Sequence, residues 1–240
     1  MIAAHPVELT FATYNIRKAV GLDRRRDPER ILSILNEIDA DVVALQEVDR
    51  RIGRRASVLP LDHIEDYTPY QPVPLNHRPD SLGWHGNALL VRRGIKLAEA
   101  SIVPLPVLEP RGAIRADLLV EGRRIRVVGM HLDLSGLRRR HQLRAILAHL
   151  ERCDHHCPTV AMGDCNEWGM RRGALSEFAE PWRVLAPGFS FPTRRPVARL
   201  DRIAISREWQ VEQAAVHHSP LAARGSDHLP VWARLKLPKK

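Results

Sequence analysis

The chain has 240 residues, of which 44% are hydrophobic and 5% aromatic, so it can bury one sizeable core, and we expect a single domain over residues 7–237. The formal charge of +9 comes mostly from arginine in doublets and triplets, which favours anionic partners such as nucleic acid, phospholipid headgroups or small phosphates. The alternative is a general preference for arginine on a solvated surface, because the clusters are spread along the chain.

Three cysteines, Cys153, Cys157 and Cys165, do not make a disulfide framework in a chain of this length and fit a reducing compartment. Residues 153–157 include zinc-ligand types but lack a second ligand pair at finger-like spacing, so we interpret them as a surface loop with two thiols. The sequence shows neither a signal-like start nor an apolar stretch of membrane-spanning length. We expect a cytoplasmic, soluble monomer without stable membrane insertion.

The first third of the chain contains two strands that end on polar residues. Residues 7–14 alternate loosely between apolar and small polar types, as in a strand, and lead to Asn15. Asp27, followed by proline, is an N-cap signal for a helix with one apolar face. Residues 41–47 form a second buried strand that finishes on Glu47. Because Glu47 repeats the pattern of Asn15, we favour a role in a site over simple exposure to solvent.

The middle of the chain predicts a long excursion followed by strands. Residues 50–85 lack a clear periodicity, and long loops in compact domains are often functional. Residues 86–92 again have the pattern of a strand, and Asn87 among them is a further candidate for the site. Residues 97–108 predict an edge strand or a loop, since two prolines interrupt them.

A hairpin and a helix follow. A Glu-Pro-Arg-Gly turn, in which Arg111 is a candidate, precedes strands over 113–119 and 123–130 that are joined by Glu-Gly. The second strand leads to His131, which is either a structural histidine or part of a site. A helix begins at residue 135 or 136 and runs to residue 150. The arginine triplet in its first turn opposes the helix dipole, which would make sense if that turn faced an anion.

The last third begins with a short buried strand that gives way to Asp164 and Asn166. Polar groups at such a position are costly to desolvate and more often serve a ligand than the core. Residues 169–195 predict a second excursion whose nearby aromatic residues could stack on bases, although we interpret them as packing beneath a loop. Asp201 lies in an apolar strand, and we expect residues 211–216 to pair with that strand. A Ser-Asp-His stretch with Asp227 and His228 precedes the final strand.

These strand-end residues consist of carboxylates, amides and imidazoles, without a cysteine nucleophile or a Gly-x-Ser-x-Gly elbow. Oxygen donors of this kind suit Mg²⁺ or Mn²⁺ better than Zn²⁺. Hydrolysis of a phosphoester needs a Lewis acid, a group that activates water and donors for the transition-state charge, and the set contains each part. The strand-end candidates are Asn15, Glu47, His131, Asp164, Asn166, Asp201, Asp227 and His228.

The order of these motifs resembles the endonuclease/exonuclease/phosphatase superfamily, the DNase I-like metal-dependent phosphoesterases, and among them the compact bacterial members. The matching stretches run from about Leu9 to Leu235, and neither a tryptophan-rich abasic-site pocket nor the disulfide of a pancreatic-type DNase is evident. The resemblance implies an α/β fold, a four-layer α/β/β/α sandwich of two packed mixed β-sheets with the site at one end. The matching stretches are TYNIR, ALQEV, GNALLVR, EPRG, VVGMHLDL, AMGDCNEW, RLDRI and SDHLPV.

The resemblance also implies roles for individual residues. Glu47 resembles the principal metal ligand, with Asn15 contacting metal or phosphate and Asp227 near the metal. Asp164 resembles the residue that activates or aligns water. His228 resembles the imidazole that contacts the scissile phosphate.

Further residues support these groups. Asp201 would hold the tautomer of His228, and an imidazolium there would satisfy a carboxylate inside an apolar strand. Asn166 resembles the hydrogen-bond donor that orients a phosphate oxygen, and His131 resembles a group that contacts phosphate or assists the leaving group. Asn87 and Arg111 are substrate-binding candidates, together with Asn15.

The leading hypothesis is a Mg²⁺- or Mn²⁺-dependent phosphodiesterase or nuclease that acts on an anionic phosphoester. The first alternative is a phosphatase or a sphingomyelinase-like phospholipase that acts on a small phosphate or a lipid headgroup. The second is an inactive homologue that only binds anions, which is disfavoured because no expected catalytic position is replaced.

Overall fold

The computed structural model describes residues 6–50, 53, 55–75, 80–106, 111–169 and 173–239. These residues form two β-sheets with α-helices on their outer faces. In chain order the elements are β1 (Val7–Asn15), α1 (Pro28–Ile38), β2 (Val42–Gln46), α2 (Leu61–Tyr67), β3 (Tyr70–Pro72), β4 (Ala88–Arg92), β5 (Lys96–Val103), β6 (Gly112–Val120), β7 (Arg123–His131), α3 (Gly136–Glu151), β8 (Thr159–Asp164), β9 (Arg183–Leu185), β10 (Asp201–Ile205), β11 (Gln210–Val216), α4 (Ala222–Gly225) and β12 (Val231–Leu237).

Each sheet has six strands among the described residues. The first has the order β11-β12-β1-β2-β4-β3, and the second has the order β5-β6-β7-β8-β10-β9. In both sheets a central parallel pair is linked by a helix: β1, α1 and β2 in the first, and β7, α3 and β8 in the second. The other pairings within the sheets are antiparallel. Because parallel strands need a crossover connection, each helix is held against the outer face of its own sheet.

Three apolar clusters account for the layering. The largest lies between the sheets, where Phe11 of β1 packs edge to face on Trp209 with ring centroids 5.3 Å apart. A second cluster packs α1 residues such as Ile31 and Leu35 against the first sheet. A third packs Leu143 and Ile146 of α3 against the second sheet. The result is the expected α/β/β/α sandwich of two mixed sheets.

Several local predictions are confirmed. Asp27 caps α1, since its Oδ1 accepts a hydrogen bond from the Arg30 amide at 3.0 Å. β5 lies at an edge of the second sheet. The β6–β7 hairpin turns at Glu121 and Gly122, both with positive φ, which matches the twist of the strands. Among the helices of the described residues, none combines the length and apolar composition needed to cross a bilayer.

Other local predictions are wrong or incomplete. Residues 211–216 form β11, which pairs with β12 in the first sheet, whereas β10 pairs with β8 and β9 in the second. The two strands are close in sequence, but the chain changes sheets between them. The excursion over 50–85 contains α2 and β3. Cys157 is buried, so the thiol segment is not wholly a surface loop. The last two residues of the predicted edge strand or loop, 107 and 108, and the first two of the predicted turn, 109 and 110, lie outside the described residues.

Gly163 allows the central strands of the second sheet to approach each other just before Asp164. A Cβ atom at this position would lie 1.8 Å from the carbonyl oxygen of Met130 on β7. No small shift of a side chain can relieve a contact with backbone. The absence of a side chain at Gly163 therefore sets the position of the Asp164 carboxylate relative to His131, its register partner.

We expect Gly163→Ala to lower the free energy of unfolding by about 3 kcal/mol, since the new methyl group overpacks against the β7 backbone. Urea unfolding followed by circular dichroism measures the change. Gly136→Ala is the matched control, because a Cβ in the first turn of α3 would meet only Arg139 Nη2 at 3.5 Å. The control should be neutral or slightly stabilising. Equal stability of the two variants would contradict the close-approach argument.

Candidate active site

Polar side chains from both sheets meet at the carboxyl ends of the two parallel pairs. In the first sheet Asn15 is the register partner of Gln46, so Glu47 follows directly at the same edge. In the second sheet His131, Asp164 and Asp201 are register partners on adjacent strands and form one row. A hydrogen bond of 3.0 Å from Asn15 Nδ2 to Asp164 Oδ2 joins the two groups across the sheets.

Asp164 is the centre of this constellation. Its Oδ2 lies 3.4 Å from His131 Nε2 and 3.7 Å from His228 Nε2, and the carboxylate is buried. Burial opposes ionisation, but the His228 charge, the His131 hydrogen bond and charge, and the Asn15 hydrogen bond outweigh it and hold the pKa well below its usual range. Asp164 is therefore an ionised acceptor between two imidazoles.

His228 is fixed by Asp201. Its Nδ1 lies 2.9 Å from Asp201 Oδ2, which also accepts a hydrogen bond from Ser190 Oγ at 2.5 Å. Burial disfavours the imidazolium, but the charges of Asp201 and Asp164, with the Asp201 hydrogen bond, raise the pKa of His228 to about 10. At neutral pH His228 therefore carries a proton on Nε2, which faces the Asp164 carboxylate.

The cation beside Glu47 in this structure is the Lys18 ammonium, which forms an ion pair with the Glu47 carboxylate. Burial opposes ionisation of Glu47, but the Lys18 hydrogen bond and charge, helped by the charges of His131 and Arg111, hold its pKa below the ordinary value. Lys18 also donates its backbone amide to the Glu47 carbonyl at 3.0 Å. Glu47 is thus an ionised carboxylate in surroundings that already hold a cation.

The donor chemistry fits a hard divalent cation better at Glu47 than at the histidine cluster. Asp164, Asp201 and His228 could hold a metal by distance, because their ligand atoms lie within 4.8 Å of one another. However, an imidazolium has no free lone pair for a metal. The carboxylates of Glu47 and Asp227 and the side-chain carbonyl of Asn15 offer oxygen ligands, as Mg²⁺ and Mn²⁺ prefer.

The remaining predicted residues surround this centre. The Arg111 guanidinium contacts the His131 ring, and both residues are buried. Asp227 lies 3.4 Å from Arg17 Nε. The backbone amide of Asn166 donates to Asp164 Oδ1 at 3.0 Å, and its side-chain Nδ2 donates to the Leu132 carbonyl at 2.9 Å. Asn87 is buried, and its Oδ1 has no hydrogen-bond partner within the described part of the chain.

Three contributors to the site were not predicted as such. Lys18 and Arg17 pair with the two carboxylates Glu47 and Asp227, and their signal was two adjacent cations directly after a strand-end Asn15. Ser190 supports Asp201, but nothing in the local sequence distinguishes it from other loop serines. Sequence patterns show strand ends well, whereas loop partners depend on the fold.

A model of the Endonuclease/Exonuclease/phosphatase family matches residues 12–228. The chain belongs to this family. Members share a phosphoesterase fold. Comparison with curated proteins gave no match.

Solved structures with the same fold cover nearly the whole chain. A family protein from Bacteroides thetaiotaomicron is 17% identical with a TM-score of 0.77, covering 98% of this chain and 97% of its own. TDP2 from D. rerio, complexed with a single-strand DNA product, is 17% identical with a TM-score of 0.71, covering 95% and 98%. The B. thetaiotaomicron mannosyl-6-phosphatase Bt3783 is 18% identical with a TM-score of 0.72, covering 95% and 99%.

Aromatic residues extend outward from His228. The Phe191 ring lies 4.8 Å from the His228 ring, and Trp168 meets Phe191 edge to face at 6.5 Å. Trp168 is 63% exposed and Phe189 is 47% exposed, so the interpretation of these two rings as packing beneath a loop is wrong. Trp182, in contrast, packs on Phe178 as expected. Residues 170–172 of this excursion, including Arg171 and Arg172, lie outside the described residues.

Glu167 holds the loop that carries Trp168. Its buried carboxylate accepts hydrogen bonds from the Gly169 amide at 3.1 Å, the Ala174 amide at 3.0 Å and Arg139 Nη2 at 3.2 Å. Arg139 belongs to the arginine triplet of α3. Its anion is therefore an internal carboxylate, and Arg140 likewise pairs with Glu177 at 3.3 Å.

We expect Glu167→Gln to lower the free energy of unfolding at neutral pH by about 1–3 kcal/mol, because a buried hydrogen-bonded charge is lost. Although burial opposes it, the backbone hydrogen bonds and Arg139 lower the pKa of Glu167 below its ordinary value of 4.5. A depressed folded-state pKa stabilises above pH 4.5 and stops doing so as the pH falls through the folded-state pKa.

The stability difference between the wild type and Glu167→Gln should therefore shrink in acid. Urea unfolding at neutral pH and below pH 4.5 measures it. Glu177→Gln is the control. Glu177 pairs with Arg140 and Arg144 on the solvent side of α3, so the loss of its charge should change the free energy of unfolding little. A difference that grows in acid would contradict the assignment.

Proposed function

We propose that the protein is a divalent-metal-dependent hydrolase of phosphodiester bonds that acts on nucleic acid, with the chemistry carried by one domain over residues 7–237. The observation that carries the proposal is the Asp164 carboxylate, held between two imidazoles and an amide from the opposite sheet. Such a site offers an ionised acceptor beside a protonated donor. These are the two groups that an attacking water and a phosphoryl oxygen require.

In this proposal Asp164 aligns the attacking water. Its Oδ2 is fixed by the Asn15 amide and stays ionised because of the neighbouring imidazoles. A carboxylate with a low pKa is a weak base but a good hydrogen-bond acceptor, so Asp164 orients the water and accepts its proton only as the new bond forms. The burial of Asp164 excludes bulk water from this position.

In the same proposal His228 stabilises the negative charge on the phosphoryl group. Its Nε2–H donates to a non-bridging phosphoryl oxygen, while Asp201 accepts from Nδ1 and fixes the ring orientation. Arg111 adds positive charge, and His131 adds hydrogen-bond capacity, on the other side of Asp164. A divalent cation held by Glu47, Asn15 and Asp227 would supply Lewis-acid polarisation of the phosphoryl group.

Nucleic acid is favoured as the substrate by the exposed aromatic path. Trp168 and Phe191 connect the surface to His228, and Arg17 lies beside Asp227 at the cleft. Aromatic faces stack on bases of any sequence, and the charge of +9 attracts a polyanion. The solved structure of TDP2 with a single-strand DNA product has the same fold, and so does a phosphatase.

The first test is a screen of the purified protein with Mg²⁺ or Mn²⁺ against single-stranded DNA, RNA, plasmid, bis-p-nitrophenyl phosphate, a phosphomonoester and lipid vesicles. We expect cleavage of phosphodiesters that EDTA abolishes. Hydrolysis of the monoester alone would overturn the nuclease assignment in favour of a phosphatase. Cleavage only of vesicle lipids would favour a phospholipase, and no hydrolysis with either metal would count against an enzyme.

Separate variants test the division of roles. We expect Asp164→Asn to lower kcat by about 100-fold or more, with metal affinity retained, since water alignment and metal anchoring lie on different strands. Glu47→Gln should weaken Mn²⁺ binding, measured by calorimetry. Asp62→Asn removes an exposed carboxylate on α2 and should leave both properties unchanged. An equal loss of metal affinity in Asp164→Asn and Glu47→Gln would contradict the division.

The aromatic path is tested by Trp168→Ala. We expect KM for a single-stranded oligonucleotide to rise about tenfold with kcat little changed, because loss of one stacked base costs about 1–3 kcal/mol. Phe189→Ala is the control, since Phe189 is also exposed but stacks under Arg199, 4.5 Å from its ring centroid. A similar rise in KM for both variants, or none for Trp168→Ala, would remove the aromatic argument for nucleic acid.

A further inference from the structure

A second group of arginines lies at the opposite end of the second sheet from the cleft. The outer face of this sheet is apolar near the cleft, where Val128 and Met130 pack under α3. Towards the start of β7 it becomes polar and carries Arg124 and Arg126. Together with the end of α3, this polar part lines a solvent-open cavity of about 530 Å³.

A fully buried carboxylate organises the floor of the cavity. Asp117 of β6 accepts two hydrogen bonds from Arg126, at 2.7 and 2.9 Å. Arg124 Nη1 lies 3.7 Å from Asp117, and Arg115 Nε lies 3.9 Å from it, which is too far for a hydrogen bond. Three guanidinium groups around one carboxylate leave positive charge that Asp117 alone does not neutralise.

Three polar atoms on the cavity wall have no hydrogen-bond partner among the described residues. They are Arg115 Nε, His149 Nε2 and Ser101 Oγ, and all three are buried within the described part of the chain. Arg115 itself is only 5% exposed. Native structures satisfy most buried polar groups, so three unsatisfied ones on a single cavity indicate a missing partner. Each of the three can donate a hydrogen bond.

The charges around the cavity favour an anion as the missing hydrogen-bond partner. Burial, followed by the charges of Arg115, Arg152 and Arg126, lowers the pKa of His149, so its neutral ring can donate from Nε2 in one tautomer. Glu99 forms an ion pair with Arg115, which neutralises the second carboxylate on the wall. Arg152 is exposed at the rim and has no ion-pair partner among the described residues. Asp154, also at the rim, offsets part of this charge.

We propose that this cavity is a second anion site that binds a phosphoryl-type tetrahedral oxyanion, either a free phosphate ion or the phosphate of a monoester. Arg124 and Arg152 would supply charge, while Arg115 Nε, His149 Nε2 and Ser101 Oγ would donate hydrogen bonds. Arg124 and His131 lie on the same strand about 24 Å apart, at about 3.4 Å per extended residue. The cavity is therefore separate from the catalytic cleft, and its occupancy does not depend on the proposed phosphodiester hydrolysis.

Cys153 provides a local probe for this site. It lines the cavity, it is partly exposed, and its Sγ accepts a hydrogen bond from Arg115 Nη1 at 2.7 Å. The other two thiols are buried. Alkylation of Cys153 by neutral iodoacetamide, followed by mass spectrometry, therefore reports on the cavity and not on the cleft.

The experiment measures the alkylation rate of Cys153 in EDTA against increasing inorganic phosphate or glycerol 3-phosphate, with chloride at matched ionic strength. We expect at least one phosphate compound to slow alkylation several-fold where chloride does not. The compound that acts at lower concentration shows whether a free ion or a monoester is preferred. Equal slowing by chloride, or no slowing by either phosphate compound, would overturn the proposal.

Matched variants locate the effect. Arg152→Gln, at an exposed position that is safe for folding, should raise the phosphate concentration for half protection about tenfold. Arg124→Gln should act in the same direction. Arg123→Gln removes the same charge from the neighbouring residue, whose Nη1 donates to the Pro238 carbonyl at 2.8 Å, and should leave the value unchanged. If Arg123→Gln and Arg152→Gln raised the phosphate concentration for half protection equally, the effect would be one of general charge, and a specific anion site in this cavity would be excluded.

Discussion

The hydrogen bond between Asn15 and Asp164 is the contact on which the cleft depends, because it connects the carboxyl ends of the two parallel strand pairs. Neither residue could be buried at low cost alone. Asn15 Nδ2 donates to one carboxylate oxygen of Asp164, while the backbone amide of Asn166 donates to the other at 3.0 Å. A polar contact thus ties the two sheets together at this edge, and the hydrogen bond between His228 and Asp201 adds a second. Every other group in the cleft is placed relative to it.

The charged side chains in the cleft form ion pairs, and a metal ion or a substrate could replace one partner in some of them. Glu47 pairs with Lys18, Asp227 lies near Arg17, and Asp201 pairs with His228. The first two pairs are partly exposed and come from a segment with positive φ at Arg17 and Lys18. The third is buried and backed by Ser190. A cation or a phosphate can replace a partner in the exposed pairs at modest cost, whereas separation of the buried pair would leave an uncompensated charge.

Local patterns predicted the strand-end residues of the cleft, because an apolar run that ends on a polar group can be identified without the fold, and the resemblance to the family implied the sandwich. Asp201 and His228 are an example: a carboxylate in an apolar strand needs a donor, and the structure places that imidazole at 2.9 Å. The pairing of β11 could not be predicted in the same way, since the choice of sheet depends on the whole topology. Nor could the partner of Arg139, because Glu167 is separated from it by 28 residues and a strand.

The outer face of the second sheet shows how one set of strands can meet two demands. Near the cleft, α3 covers β7 and β8 with apolar side chains, so the strands that carry His131 and Asp164 rest on a rigid support. At the other end, arginines replace the apolar residues, and Asp117 is buried among them. A face of apolar residues would cost less free energy there, because buried apolar side chains need no hydrogen-bond or ion-pair partners. Three polar atoms without partners at that end are difficult to explain by stability alone, and an anion that satisfies them would offset the cost of burying them.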